Sequence, residues 1–372
     1  MHVPQEVYDL EGFCQALLDI DESHLFEGQH LHQIKTYFYL TEHDDWKASF
    51  GQSYQEEDYG EITKLTREFT TRSGEAGRAV FYAAYYEDDL LIIFTSATED
   101  AIDQTLENSV NASKELAEMP IVPRDFQKMN EMVLSKYEEV DITEFKSKRI
   151  PDLADAEIRP EYDRTMEYKG RDGRQTLKEF RQYYGVVPVR IQYEHEDIAL
   201  RIDTNGKFTL IRLNNATFTL LFELIEEVLD HVLDIQEVSQ EIRFRTEKRR
   251  SGDLELEVPT VTAGQIEFQK SFNRLMAEEF VQNAGNRSDT PFTFTDVSME
   301  AGSLDFTATV TDEQRSAFFN ISATEDAMRI VPKHNCAFPS LIRFYQLLTE
   351  TIDESAQITL FDDESAYSTS AS

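Results

Sequence analysis

The chain has 372 residues, 40% of them hydrophobic, including 25 Phe and 16 Tyr, which excludes a disordered acidic polymer and supplies enough apolar mass for two or three units at about 100 to 200 residues each. Its 71 acidic against 36 basic residues leave a formal net charge of −35. Ordinary saline leaves such self-repulsion largely standing, whereas concentrated salt shortens the Debye length to about 3 Å near 1 M.

Lys is scarce, 14 against 22 Arg, and acids are spread along most of the chain. This composition resembles that of proteins from salt-accumulating archaea and implies a halophilic, cytoplasmic protein whose acidity reports its solvent. Cys14 and Cys336 stand in unrelated contexts without CxxC spacing and read as core thiols or inert ones. Residues 1–10 are polar with no signal-like apolar region, and no apolar run approaches the roughly 18 residues needed to span a bilayer, so neither export nor membrane insertion is expected.

In chain order, Val7, Leu10, Phe13 and Leu17 recur at helical spacing over 7–20, and a strand follows over 30–40. Strands are expected at 61–70, 77–86 and 89–95. Thr98, ahead of Glu99 and Asp100, then caps a helix running to about residue 116. Met119-Pro120 and Val122-Pro123 mark a boundary. Beyond it come a helix at 124–137, a strand at 140–149, a polar loop over 151–159, a strand at 164–169 and a short helix at 174–184.

Val187, Val189, Ile191 and Tyr193 alternate with polar residues, as do Ile198, Leu200 and Ile202, the period-two pattern of strands with one buried face. Asn205-Gly206 supplies the positive-φ pair of a type I′ turn, which makes 197–213 a hairpin. Phe218, Leu221, Ile225, Val228 and Val232 line one face of the helix behind it. The remainder predicts a strand at 253–258, a helix at 266–282 carrying Phe268 and Phe272, strands at 291–299, 303–310, 315–322 and 327–331, and a helix at 339–352.

The expected fold is α+β, with two or three units of mainly antiparallel sheet backed by amphipathic helices. The divisions are 1–120, 121–238 and 239–360, followed by a mobile acidic tail at 361–372. Two echoes raise the prospect of internal repetition. Asp125-Phe126-Gln127-Lys128 and Glu267-Phe268-Gln269-Lys270 each read as a helix start. Ser-Ala-Thr-Glu-Asp-Ala occurs at 96–101, opening a helix, and at 322–327, in a turn.

The order strand, short helix, strand, hairpin, long helix over 164–235, with the alternating strand Val187–Tyr193 and the Asn205-Gly206-Lys207 turn, resembles one half of a TATA-binding-protein repeat. The resemblance implies a concave sheet face seated on the DNA minor groove with Phe wedges. The position matching a wedge here is Asp203, which speaks against kinking DNA.

Charge layout carries the strongest functional signal. Residues 143–250 hold 19 basic and 21 acidic residues, while the other 264 positions hold 17 and 50. Basic clusters lie at Lys146, Lys148 and Arg149, at Arg171, Arg174, Lys178 and Arg181, and at Arg243, Arg245, Lys248, Arg249 and Arg250. Arginine forms bidentate bonds to phosphate and carboxylate that tolerate salt better than diffuse attraction does, so the partner classes are nucleic acid or an acidic protein. Contact with nucleic acid in molar salt must lean on stacking, for which Tyr162, Tyr168, Phe180, Tyr183, Tyr184 and Phe244 are at hand. Local ion pairing is the plain alternative.

No motif specifies a chemistry. His24, His30 and His32 lack visible further ligands, and His195 begins no HExxH and is expected to be exposed. Glu144-Phe145-Lys146 matches only the ExK fragment of nucleases, and Gly206-Lys207 lacks the upstream glycine of a phosphate loop. No catalytic residue, metal or cofactor is therefore assigned. The expected function is a non-enzymatic binding or assembly module acting through the relatively basic middle third. Behind it stand an oligomerising structural component, viral or cellular, a DNA-mimic inhibitor and a nuclease.

Overall fold

The computed structural model describes residues 3–19, 33–42, 46–50, 53–71, 74–87, 90–149, 157–158, 164–251, 254–286, 291–299, 305–333 and 335–361. The chain divides into two compact units, Met1–Leu233 and Asp234–Ser372. Both combine helices with antiparallel sheet, an α+β architecture.

The first unit begins with α1 (Leu10–Asp19), β1 (Ile34–Thr41), the one-turn α2 (Lys47–Phe50) and the strands β2 (Gln55–Tyr59), β3 (Ile62–Thr70), β4 (Ala76–Glu87) and β5 (Leu90–Thr95). Next come α3 (Glu99–Ile102), a π-helical turn (Asp103–Glu107), α4 (Asn108–Ala112) and β6 (Leu116–Glu118). The expected helix after Thr98 is thus continuous from Glu99 to Ala112, widened by the π-helical turn at its middle and ending before β6, and its cap is present, with Ala101 N donating to Thr98 Oγ1 at 3.4 Å. The unit continues through α5 (Pro123–Lys136), β7 (Asp141–Arg149), β8 (Arg164–Lys169), α6 (Gly173–Tyr184), β9 (Val186–Glu194), β10 (Ala199–Asp203), β11 (Lys207–Leu210) and α7 (Asn215–Glu241), whose last residues fall in the second unit.

Its strands form one sheet in the order β2-β3-β4-β5-β1-β11-β10-β9-β7-β8, with β6 also on β1. Residues 1–120 and 121–238, divided in the sequence reading, therefore share a sheet, joined where Ile34 faces Leu210 and Tyr37 faces Lys207. The proline-marked boundary is not a linker. Met119, Ile121 and Val122 are buried, and its backbone is tied in by Met119 N to Phe38 O at 3.0 Å and Ile121 N to Thr204 O at 3.1 Å. At the hairpin, Gly206 has φ +71° but Asn205 does not take a positive φ, so the chain turns between β10 and β11 where expected without the type I′ geometry, which needs both.

Burial explains the strand patterns. One face of β1 and β3–β5 packs Tyr37, Tyr39, Leu65, Phe81, Leu91 and Ile93 against Ile102, Leu106 and Val110. On the other face Phe13 of α1 meets Tyr82 and Phe94, and Phe94 meets Phe218 of α7. With both faces covered, β5 is buried at every position and reads as the unbroken run Leu-Leu-Ile-Ile-Phe. Further along, β9 alternates in two phases: Ile191 and Tyr193 are buried, but beyond the register shift against Lys146 and Ser147 the buried positions are Val186 and Pro188, leaving Val187 and Val189 half-buried. Tyr193 Oη donates to Asn130 Oδ1 of α5 at 2.8 Å, while neighbouring Phe145 of β7 packs on Phe180 of α6.

The second unit contains the hairpin β12 (Phe244–Ser251) and β13 (Leu254–Val261), β14 (Gly264–Glu267), α8 (Arg274–Asn286), β15 (Phe292–Met299), β16 (Phe306–Asp312), β17 (Ala317–Ala323), β18 (Ala327–Pro332), α9 (Phe338–Thr351) and β19 (Gln357–Leu360). A six-stranded sheet runs β15-β16-β17-β18-β14-β19. Phe319 and Phe292 on its covered face pack on Phe344 of α9, and Phe294 packs on Phe280 of α8.

The helix expected over 266–282 starts only at Arg274. Residues 264–267 instead lie between β18 and β19, and the following amides are claimed by distant acceptors: Asp353 Oδ2 takes Gln269 N and Lys270 N, while the Asp326 and Glu325 carbonyls take Phe268 N and Phe272 N. The two Phe-Gln-Lys echoes are therefore not structural equivalents, since the first lies in α5 and the second follows a strand. The hexapeptide copies likewise differ, one entering α3 and the other turning between β17 and β18.

Candidate interaction surfaces

Helix α6 rests on the sheet through Leu177, Phe180 and Gly173; a Cβ at Gly173 would lie 2.0 Å from the Ile142 carbonyl oxygen. Gly185 closes it in the left-handed conformation, and its amide bonds the Arg181 carbonyl. Arg174, Lys178 and Arg181 follow one another at spacings of four and three, so the helical period places them along one face of α6; Arg171 lies two residues before the helix begins, and all four are exposed. Arg174 Nη1 reaches the Glu138 carbonyl at 3.4 Å and Arg181 Nη2 reaches Gln127 Oε1 at 3.0 Å. None of the four has a carboxylate partner among the described residues. Three members of this sequence cluster thus form a basic stripe on α6, with Arg171 at the entry to the helix.

The second cluster is not. In β12, Arg245 is opposite Thr260 and Lys248 is opposite Glu257, so strand alternation sends these two side chains to opposite faces. Arg243, just before the strand, pairs with Glu241 at 3.0 Å. Arg249 and Arg250 pair in register with Leu256 and Glu255. Five neighbouring basic letters thus do not make one surface, because the strand period divides what a helix would gather.

Most of the aromatic residues expected to stack with bases are already engaged. Tyr168 stacks on Phe145 with centroids 5.1 Å apart and donates to Asp172. Phe180 contacts Phe145 and Tyr184, and Arg164 lies 5.2 Å over the Tyr184 ring. Tyr183 remains exposed, Phe244 is partly buried, and Tyr162 lies outside the described residues.

A third constellation escaped sequence reading because its members come from four strands and a helix. On the face of the sheet opposite Phe145 and Tyr193, Lys35 and Lys207 close on Glu99 at 3.1 and 2.8 Å, and Lys207 Nζ lies 5.6 Å from the Tyr37 ring centroid. Arg190 bonds Asp203, with Arg201 4.0 Å from the same carboxylate. Asp203, matched above to a wedge position, is thus an ion-pair centre. The Tyr37 hydroxyl is buried without a hydrogen-bond partner among the described residues.

Beside this network, the π-turn carries Glu107. Burial, reinforced by Asp103 and Glu118, pushes its carboxyl up to about 7. Single π-turns of this kind recur at functional positions. The ExK pair is spent across the neighbouring strand: Glu144 meets Lys169 at 3.2 Å and Lys146 meets Glu167 at 3.8 Å.

His195 is not exposed as expected; its side chain is 17% accessible and its ring packs 5.2 Å from that of Tyr137. Its Nδ1 accepts from Asp197 N at 3.2 Å. With Glu196 and Asp197 it forms the one three-residue group of metal-type ligands among the described residues, but all three are consecutive in a single turn. His24, His30, His32 and the tail from 362 onward lie outside the described residues. No helix among the described residues is long and apolar enough to cross a membrane.

Residues 126–204, running from within α5 to the end of β10, match the middle domain of the AF_0896_M family. Over 317 residues, 81% of this chain and 82% of the relative, the chain is 24% identical to an uncharacterized protein of Archaeoglobus fulgidus. The matched stretch includes the α6 stripe together with Arg190, Arg201 and Asp203.

Proposed function

We propose that this is a non-enzymatic binding module of a salt-adapted cytoplasm that docks an acidic protein segment along α6. The observation that carries the reading is the line of Arg174, Lys178 and Arg181 on the exposed side of that helix, with Arg171 exposed at its entry, in a chain of net charge −35. Arg174, Lys178 and Arg181 span about 10 Å at 1.5 Å per residue, with Arg171 at the helix entry, the reach of a short acidic peptide. Arginine–carboxylate bonds are directional and short, so they hold where diffuse attraction is screened. Nucleic acid is the weaker occupant, because stacking would have to replace screened phosphate attraction and most of the nearby rings are packed into the protein.

The test is binding of a labelled Glu/Asp-rich peptide and of a labelled single-stranded oligonucleotide in about 2 M KCl, comparing the wild type with a variant carrying Arg171→Glu, Arg174→Glu, Lys178→Glu and Arg181→Glu. Peptide binding lost in the variant supports the reading. Oligonucleotide binding lost in the variant, without peptide binding, makes the module a nucleic-acid binder, and equal binding by both proteins removes α6 as the contact.

A further inference from the structure

The first unit has a cleft of about 720 Å³ between α1 and the first half of α7. That volume falls in the range of small-molecule sites. Its apolar wall includes Leu10, Leu18 and Phe218, and Tyr86 from the end of β4 closes one side. Tyr86 and Phe222 are stacked nearly parallel, 9° apart with centroids 5.2 Å from each other, and both are only partly buried. A stack left open to solvent offers its outer ring face to a further flat group.

The polar lining has one sign. Asp9 and Glu11 stand on the α1 side, and no Lys, Arg or His is among the lining residues. Asp9 is held in place as its Oδ1 accepts Gly12 N at 2.7 Å, and Glu226 Oε1 accepts from Tyr86 Oη at 3.2 Å, adding a carboxylate beside the ring stack. Cys14 also lines the cleft, and burial pushes its thiol up to about 12, so at neutral pH it is an apolar wall atom.

We infer that this cleft binds a small organic cation with a flat apolar body, the ring of the ligand against the Tyr86–Phe222 stack and its ammonium group toward Asp9, Glu11 and Glu226. Aromatic faces attract such cations, and the adjoining carboxylates add to that attraction. Inorganic cations in concentrated salt compete for the carboxylates but have no flat apolar body to lay against the rings. Affinity should therefore fall only modestly with KCl, unlike diffuse cation uptake by an acidic surface. The site is independent of α6 and of the proposal made for it.

The test is calorimetric titration of the full chain with benzyltrimethylammonium, its neutral carbon isostere and benzenesulfonate, in about 1 M and about 3 M KCl. The expected result is a 1:1 complex of about millimolar affinity or tighter for the cation at both salt concentrations, with the isostere and the anion about tenfold weaker or worse. Phe222→Ala should weaken the cation about tenfold. Because that variant also touches packing, Thr219→Arg, at an exposed lining position, puts a positive charge at the cleft and should abolish binding with an unchanged melting temperature. Equal binding of the isostere, loss of binding at the higher salt, or undiminished binding to Thr219→Arg would each overturn the inference.

Discussion

Asp125, completely buried in α5, lies with Oδ2 2.6 Å from Nδ1 of His231 in α7. Arg124 Nη2 approaches the other ring nitrogen at 2.9 Å. Arginine can only donate, so Nε2 accepts and Nδ1 gives its proton to the carboxylate. A polar chain of three side chains thus fastens two helices that cover the same sheet.

Asp125→Ala leaves the His231 ring and Arg124 facing a vacated, buried position. The expected loss is about 3 kcal/mol of unfolding free energy, read from the denaturation midpoint. Asp125→Asn, which still accepts a proton from Nδ1, should recover part of it. A loss below about 0.5 kcal/mol for the alanine variant would mean that the two helices are held by their apolar contacts alone.

Glu107 gives stability a pH dependence of unusual sign for a carboxylate. Its folded value, about 7, lies above the ordinary 4.5, so the folded state holds the proton more tightly than the unfolded one. Its contribution is full below about pH 4.5, falls as pH rises through 7 and is flat beyond. Glu107→Gln removes that fall and should raise stability at pH 8 by about 1–2 kcal/mol, once screening by solvent is allowed for. Urea midpoints of the two proteins between pH 5 and 8 test it, and parallel curves would show that Glu107 titrates normally.

Two glycines separate crowding from backbone conformation. At Gly173 an added methyl meets the Ile142 carbonyl at 2.0 Å, whereas at Gly74, with φ +86°, it meets nothing within 4 Å. Gly173→Ala should cost about 2–4 kcal/mol by lifting α6 from β7, and Gly74→Ala about 1 kcal/mol from the left-handed backbone alone. Similar melting temperatures for the two variants would show that α6 yields freely.

Charge reversal along α6 should not weaken the fold. Its four side chains are exposed and lack carboxylate partners among the described residues, so the quadruple variant should melt within about 3 °C of the wild type in concentrated KCl. A much larger drop would assign the stripe a structural role and take away its support for docking.

The net charge itself predicts a salt requirement. Stability should rise steeply as KCl is raised from about 0.1 M to about 2 M and then level off as screening saturates. A midpoint independent of salt over that range would remove salt adaptation from the account of the composition.

The sequence by itself determined what depends on near neighbours. The strand over Val187 to Tyr193, the turn at Asn205-Gly206 and the cap at Thr98 each answer to a local requirement and form where expected, although a register shift puts Val187 and Val189 on the less buried phase and Asn205 does not take the positive φ of a type I′ turn. The basic stripe of α6 was legible for the same reason, since helical spacing alone aligns Arg174, Lys178 and Arg181. What lay beyond reach was every feature set by residues far apart in the chain. The amides of 268–272 were lost to helix because Glu325, Asp326 and Asp353 supply their acceptors. The break at Pro120 vanished because β1 pairs with β11, and Lys35, Glu99 and Lys207 met only through that pairing. The basic run at 243–250 was dispersed by a strand that its composition did not announce. Periodicity records which side of a segment faces solvent, whereas strand order and hydrogen-bond partners are settled by burying several such segments at once.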